Sequence, residues 1–166
     1  MPTIRDMQQE LEQEALTTRR TLERVPADSF DWKPHEKSMS MGVLAMHVAT
    51  IPAALGELAL QPSFDASVVV PRPTTASIPA LLEAHDRSIA RAREILGSMD
   101  DAALELPWRM MNGSTELFSM PRGIFLRSVL FNHWYHHRGQ LSVYLRMLDV
   151  PLPSIYGPSA DENPFG

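Results

Sequence analysis

Two histidines one helical turn apart, His133 and His137, are the residues of this chain best suited to chemistry. They lie in the run NHWYHHRGQ, residues 132–140. Four residues on an α-helix correspond to a rotation of about 40° and a rise of roughly 6 Å, so both imidazoles can point at one ion. A third nitrogen donor, with one coordination position left open, would complete a reactive metal site.

Helical phase is the reason for choosing these two among the three histidines of the run. The last predicted helix spans residues 122–148. At 100° per residue, His133 and His137 fall near the middle of its apolar arc, whereas His136 lies towards the edge of that arc. The same test puts His47 on the core side of the second predicted helix. Buried imidazoles need partners for both ring nitrogens, so three of them in one core are costly unless they share an ion.

Each histidine also has a simpler interpretation. A core histidine such as His47, taken alone, is more often a hydrogen-bonded packing residue than a ligand. His85 falls at the centre of its own apolar face and is a candidate fourth ligand or pocket residue, although a hydrogen-bonded core histidine is the favoured interpretation. His35, beside Pro34 in a loop, is expected at the surface.

Composition and motifs exclude several function classes. The formal net charge of −5 argues against a nucleic-acid partner, since phosphate binding needs a basic surface. The chain has no cysteine, which excludes disulfides, thiolate zinc sites and a protein thiol nucleophile. Trp134 stands where a zinc protease has its glutamate, and no nucleophile-elbow pattern is present. The polar N-terminus and the lack of an apolar run of membrane-spanning length favour a cytoplasmic protein without a membrane partner.

Four segments with helical periodicity must position these residues. Pro52 interrupts the second helix because it has no N–H to donate a hydrogen bond to the carbonyl of Val48. It is expected to bend the helix there. Residues 101–121 are expected to be irregular with a turn at Asn112-Gly113, and residues 67–70 are the only short β-like run. The pattern predicts an all-α, four-helix-bundle domain spanning residues 1–166, with a long connection between helices 2 and 3. The predicted helices run from Ile4 to Val25, Met41 to Leu60, Ile78 to Met99 and Arg122 to Leu148. Ser38 or Ser40 is expected to cap the second helix and Ser77 the third.

These residues resemble the DinB/YfiT-like superfamily of metalloenzymes over nearly the whole chain. The resemblance is carried by WKPHEKSMS at 32–40, MHVA around His47, PWRM at 107–110, NHWYHHRGQLSVYLRML from 132 and PLPSIYGPSADE at the end. It implies a four-helix bundle, often dimeric, with a divalent metal held by three histidines, which map to His47, His133 and His137. Relatives include bacillithiol S-transferases and mycothiol-dependent maleylpyruvate isomerase, and the family name does not imply DNA binding.

A divalent ion on three neutral imidazoles, zinc or nickel, would lower the pKa of a thiol or water. The leading hypothesis is therefore a metal-dependent S-transferase that uses an external thiol, such as bacillithiol, mycothiol or glutathione, against a small electrophile. Three alternatives stay open: a metal-dependent hydrolase, a non-catalytic stress-related metal-binding protein, and a core without an ion. A homodimer and a small-molecule substrate are expected mainly from the resemblance.

Three further residues of the last helix are candidates for roles around the site. Arg138 could orient an anionic substrate, although a surface cation is the favoured interpretation. Gln140 could hydrogen-bond to a ligand histidine, or it is simply a polar residue of the helix. Tyr144, seven residues after His137 and on the same face, either lines the pocket or packs.

Overall fold

The computed structural model describes residues 2–68, 73–75 and 77–165. The described part is mainly helical, as the periodicity predicted, and the second and third helices form close to their predicted bounds. The helices are α1 (Ile4–Leu22), α2 (Met41–Leu60), α3 (Ile78–Gly97), the short α4 (Asp101–Glu105) and α5 (Arg122–Phe125), a π-helix (Leu126–Phe131) and α6 (Asn132–Met147).

Side-chain caps explain where the long helices begin. The Thr3 hydroxyl accepts from the amide of Asp6 at 3.2 Å, and the Asp6 carboxylate accepts in return from the Thr3 amide at 2.8 Å. This capping box satisfies two amides that the first turn of α1 leaves without partners. Of the two serines proposed to cap α2, Ser38 and Ser40, it is Ser40 that does so, and Ser77 caps α3 as predicted.

A small mixed sheet corrects the prediction of a purely α-helical fold. Its strands are β1 (Ser63–Asp65), β2 (Pro107–Asn112) and β3 (Thr115–Pro121). They lie in the order β1-β2-β3, with β1 parallel to β2 and β2 antiparallel to β3. The predicted turn at Asn112-Gly113 closes the β2–β3 hairpin, and Gly113 has a φ of 58°, which glycine adopts without strain. The strands were missed because they are mostly exposed, so they lack the alternation that marks a half-buried strand.

The predicted fourth helix is not one regular α-helix. Its first part forms α5 and then the π-helix, before α6 begins at Asn132. A π-helix turns through a smaller angle per residue than an α-helix because its hydrogen bonds run from residue i to i+5. Counting 100° per residue through this segment therefore gives the wrong phase for everything after it. The fully buried stripe of α6 is Trp134, Arg138, Leu141 and Leu145.

Helix α2 is the most apolar element and crosses the centre of the core. The sequence was expected to contain no apolar run of membrane-spanning length, but α2 is long and apolar enough to span a membrane by length and composition alone. Half of its most apolar stretch is buried inside the protein. Val48 and Ala49 are fully buried, and the helix continues through Pro52. Packing in the core is thus a second explanation for the apolar composition of α2. One flank of this helix carries His47.

Candidate metal centre

His47 on α2 meets His133 and His137 on α6. The Nε2 atoms of His47 and His133 lie 3.1 Å apart. One ring nitrogen can be chosen from each of the three residues so that all three atoms lie within 4.8 Å of one another. The ring centroids are 4.5 to 5.3 Å apart. We call these residues the three-histidine group.

The spacing of the three-histidine group fits a divalent ion. Zinc–nitrogen bonds of about 2.0–2.1 Å place neighbouring ligand nitrogens roughly 2.8–3.4 Å apart, from right-angled to tetrahedral geometry. The measured 3.1 Å between the His47 and His133 Nε2 atoms lies in that range. All three side chains are half-buried, so the group combines a fixed position with access from solvent. The group could therefore hold a metal ion.

Gln140 fixes which nitrogen His137 can offer. Its side-chain oxygen lies 2.6 Å from His137 Nδ1. Because that oxygen can only accept, Nδ1 carries the proton, and Nε2 is left with its lone pair. Such a partner orients an imidazole and raises its basicity towards a metal. The contact spans three residues of α6, so it is local to one helical turn.

The electrostatics of the site favour a neutral ligand at His133. Burial lowers the pKa of this imidazole, and the nearby charge of His136 lowers that pKa further. A neutral imidazole is the form that donates a lone pair to a metal. His136 itself is exposed, with its ring centroid 5.0 Å from that of His137. It therefore lies at the outer side of the site.

The phase argument predicted that His133 and His137 lie in the middle of the apolar face of the last helix, and this prediction is wrong. Each directly precedes a fully buried residue, Trp134 and Arg138 respectively, so the pair occupies the flank of the buried stripe. The π-helix accounts for this offset. A position on the flank suits a reactive site better than a buried one, because an open coordination position needs access for a substrate.

Tyr144 is half-buried in the last turn of α6. Its hydroxyl donates to the carbonyl of Met39 at 3.2 Å, and its ring packs nearly perpendicular to that of Trp32, with the ring centroids 5.5 Å apart. These contacts tie α6 to the loop before α2, so Tyr144 has a packing role. His35, predicted at the surface, is exposed in that loop.

His85 lies apart from the three-histidine group. It sits on α3 beside a groove against α1 that is lined by Leu16, Ile89 and two ion-paired arginines, with a volume of about 260 Å³. Its Nδ1 is 3.4 Å from the carboxylate of Asp86, and it is only 2% exposed. Burial lowers its pKa, and Asp86 opposes that shift. The structure does not bring this histidine to the other three.

Arg138 is buried, which corrects the expectation of a surface cation. It is 1% exposed and forms an ion pair of 2.6 Å with Glu14 of α1. The hydroxyls of Thr18 and Tyr156 accept from it at 3.0 and 2.6 Å, and its guanidinium lies over the ring of Tyr135. Sequence reasoning missed this cluster, although a glutamate on the apolar stripe of α1 is a signal for a buried partner.

Comparison with known proteins identifies the family. The chain matches the sequence profile of the DinB family over residues 1–163. This chain belongs to the DinB family. The match confirms the resemblance found in the motifs, and the family's association with metals agrees with the three-histidine group.

Two solved structures of DinB-like proteins have the same fold. One, from Bacillus cereus ATCC 10987, has a TM-score of 0.71 and 24% identity, and the match covers 93% of this chain and 98% of that one. The other, YjoA from Bacillus subtilis, has a TM-score of 0.63 and 20% identity, covering 85% and 90%. At these identities the likeness shows the fold alone.

The curated relative is matched only in part. The uncharacterised protein YrdA of Bacillus subtilis is 44% identical over 43 residues, which span 26% of this chain and 25% of YrdA. The match thus covers about a quarter of that protein's length.

Proposed function

We propose that this DinB-family protein is a metal-dependent S-transferase that joins an external thiol to a small electrophile. The observation that carries the proposal is the convergence of three imidazoles on a half-exposed flank between α2 and α6. A divalent ion such as zinc or nickel, held there by neutral nitrogens, would supply a Lewis acid that lowers the pKa of a thiol. His47, His133 and His137 are its proposed ligands.

The chain's own residues prepare the site for such a group. Gln140 accepts the proton of His137 Nδ1 and so leaves Nε2 as the nitrogen with a lone pair for a metal. Burial keeps His133 neutral at pH values where a free histidine is partly charged. All three residues are half-buried, so the group is in contact with solvent. Since the chain has no cysteine, the thiol must come from outside.

The first experiment measures metal content and turnover together. Protein purified without a nickel column would be analysed for bound metal, then stripped and reloaded with zinc or nickel. Conjugation of glutathione, bacillithiol or mycothiol to a chloro-nitroarene would be followed for the stripped and reloaded forms. We expect turnover that requires both metal and thiol.

The outcomes separate the proposal from its alternatives. Turnover of an activated ester without any thiol would support a metal-dependent hydrolase and contradict the transferase. Tight metal binding without turnover on either substrate would favour a non-catalytic metal-binding protein. Failure to bind any divalent metal would contradict the metal site itself. The expected homodimer stays a prediction, which light scattering on the purified protein would test.

A further inference from the structure

Pro52 leaves a buried carbonyl of α2 without its usual donor. In an α-helix the carbonyl of Val48 would accept from the amide of residue 52, but proline has no N–H. Helix α2 nevertheless continues through Pro52, and Val48 is fully buried. An unpaired carbonyl in such a place is costly, so this one needs a donor from elsewhere.

Trp134 of α6 is that donor. Its indole Nε1 lies 3.0 Å from the Val48 carbonyl oxygen, and the tryptophan is itself 0% exposed. An indole N–H can only donate, so this bond satisfies the one polar atom of the Trp134 side chain as well. The proline in one helix and the tryptophan in the other are therefore chemically complementary.

The bond adjoins the proposed ligands on both helices. Val48 directly follows His47, and Trp134 directly follows His133, whose Nε2 is 3.1 Å from that of His47. Rotating or sliding either helix enough to separate these imidazoles would also break the buried indole–carbonyl bond. We propose that Pro52 and Trp134 are positioning residues, which together fix α2 against α6 so that His47 and His133 meet. This inference rests on the proposed metal-binding function.

The same proline offers an internal comparison. The amide of Ala53, next in the chain, donates to the hydroxyl of Ser88 on α3 at 3.0 Å, and Ser88 is 4% exposed. Helix α3 contributes no member of the three-histidine group. The Ser88 bond therefore ties α2 to a helix without a proposed ligand, whereas the Trp134 bond ties it to the helix with two.

The decisive variant is Pro52→Ala. Alanine restores an amide that can bond to the Val48 carbonyl within α2, and it is a far better helix former than proline. We expect the melting temperature of the metal-free protein to stay the same or rise, while zinc affinity, measured by chelator competition, falls about 10-fold. A residue with a purely structural role would not separate these two quantities in this way.

Trp134→Phe completes a double-mutant cycle. Alone, it should lower both stability and zinc affinity, because the Val48 carbonyl loses its donor. In the Pro52→Ala background it should cost clearly less zinc affinity than it does alone, because the bond has already been replaced. Additive effects of the two substitutions on zinc affinity would contradict the proposed coupling.

Two matched controls test whether loss of any such bond gives the same result. Trp108→Phe removes another buried indole donor to α2, which binds the carbonyl of Leu58 at 2.9 Å, three helical turns from His47. Ser88→Ala removes the other bond associated with Pro52. Both should lower stability and leave zinc affinity unchanged, and equal losses of affinity in the controls would overturn the inference.

A metal-free measurement separates this inference from the proposed function. Nuclear Overhauser contacts between the ring protons of His47 and His133 report their approach directly, since the ring centroids are 5.3 Å apart. These contacts should be present in the natural protein and weaken in Pro52→Ala. Absence of zinc binding by the natural protein would remove the proposed function, and the ring contacts would then decide the inference alone. Unchanged contacts in Pro52→Ala would refute it.

Discussion

His85 on α3 and the three-histidine group between α2 and α6 both arise from histidines placed on apolar helix faces. His85 is 2% exposed, and its Nε2 has no hydrogen-bond partner among the described residues. The members of the three-histidine group are only half-buried, yet one nitrogen from each lies within 4.8 Å of the others. Depth of burial therefore does not identify a ligand. Convergence of several rings at the edge of the core does.

Removing one member of each region should give the largest contrast. His133→Ala takes away one of the three proposed ligands, so zinc affinity should fall by more than about 100-fold, since even an outer hydrogen-bond partner is worth about 10- to 100-fold. His85→Leu is the matched change in the other region and should leave affinity within about twofold, as expected for independent sites. Isothermal titration or chelator competition measures both variants. Equal losses of zinc affinity in the two variants would contradict the proposed difference between the two regions.

A smaller effect is expected from the residue that orients His137. Gln140→Leu removes the oxygen that lies 2.6 Å from Nδ1, so the ring can rotate and exchange tautomers. Zinc affinity should fall about 10- to 100-fold with little change in melting temperature. Ser142→Ala is a suitable control, because its hydroxyl bonds only to the carbonyl of Gly139 on the same helix among the described residues. If Gln140→Leu bound zinc as tightly as the natural protein, the role given to Gln140 would be wrong.

The sequence was sufficient to predict the identity of the three-histidine group but not its setting. The type and spacing of His133 and His137 predicted a shared ion, and the chain does bring His47 to them. The phase was wrong because a π-helix cannot be distinguished from an α-helix by apolar spacing over six residues. The strands were missed because most of their residues are exposed, so the sequence shows no alternation of apolar and polar residues there. Local pattern predicts local structure, whereas contacts across helices depend on packing.

Pro52 illustrates this limit most directly. The missing bond to the Val48 carbonyl could be predicted from the sequence, since proline always lacks the donor. That Trp134, 86 residues further along, supplies the replacement could not be predicted, because it depends on the packing of α6 against α2. The buried pair of Glu14 and Arg138 is similar: each charge was visible in the sequence, but their meeting required the fold.

The last prediction concerns the pH dependence that His85 gives to stability. Burial lowers the pKa of His85 in the folded protein, whereas the unfolded chain titrates near the ordinary value of about 6.5. Between those two values the unfolded state binds more protons, so stability is lost as pH falls from above about 6.5 through the folded pKa.

His85→Leu should therefore flatten the decline of unfolding free energy below neutral pH, as measured by urea denaturation of the metal-free protein. It should not abolish the decline, because the pKa of His133 is also lowered by burial and acts in the same direction. At pH 8, where neither group is charged, the variant should be as stable as the natural protein or more so, since leucine leaves no unpaired ring nitrogen. If the dependence of unfolding free energy on pH were unchanged in His85→Leu, His85 would be as easily protonated in the folded protein as in the unfolded chain. Burial would then not distinguish His85 from the three-histidine group.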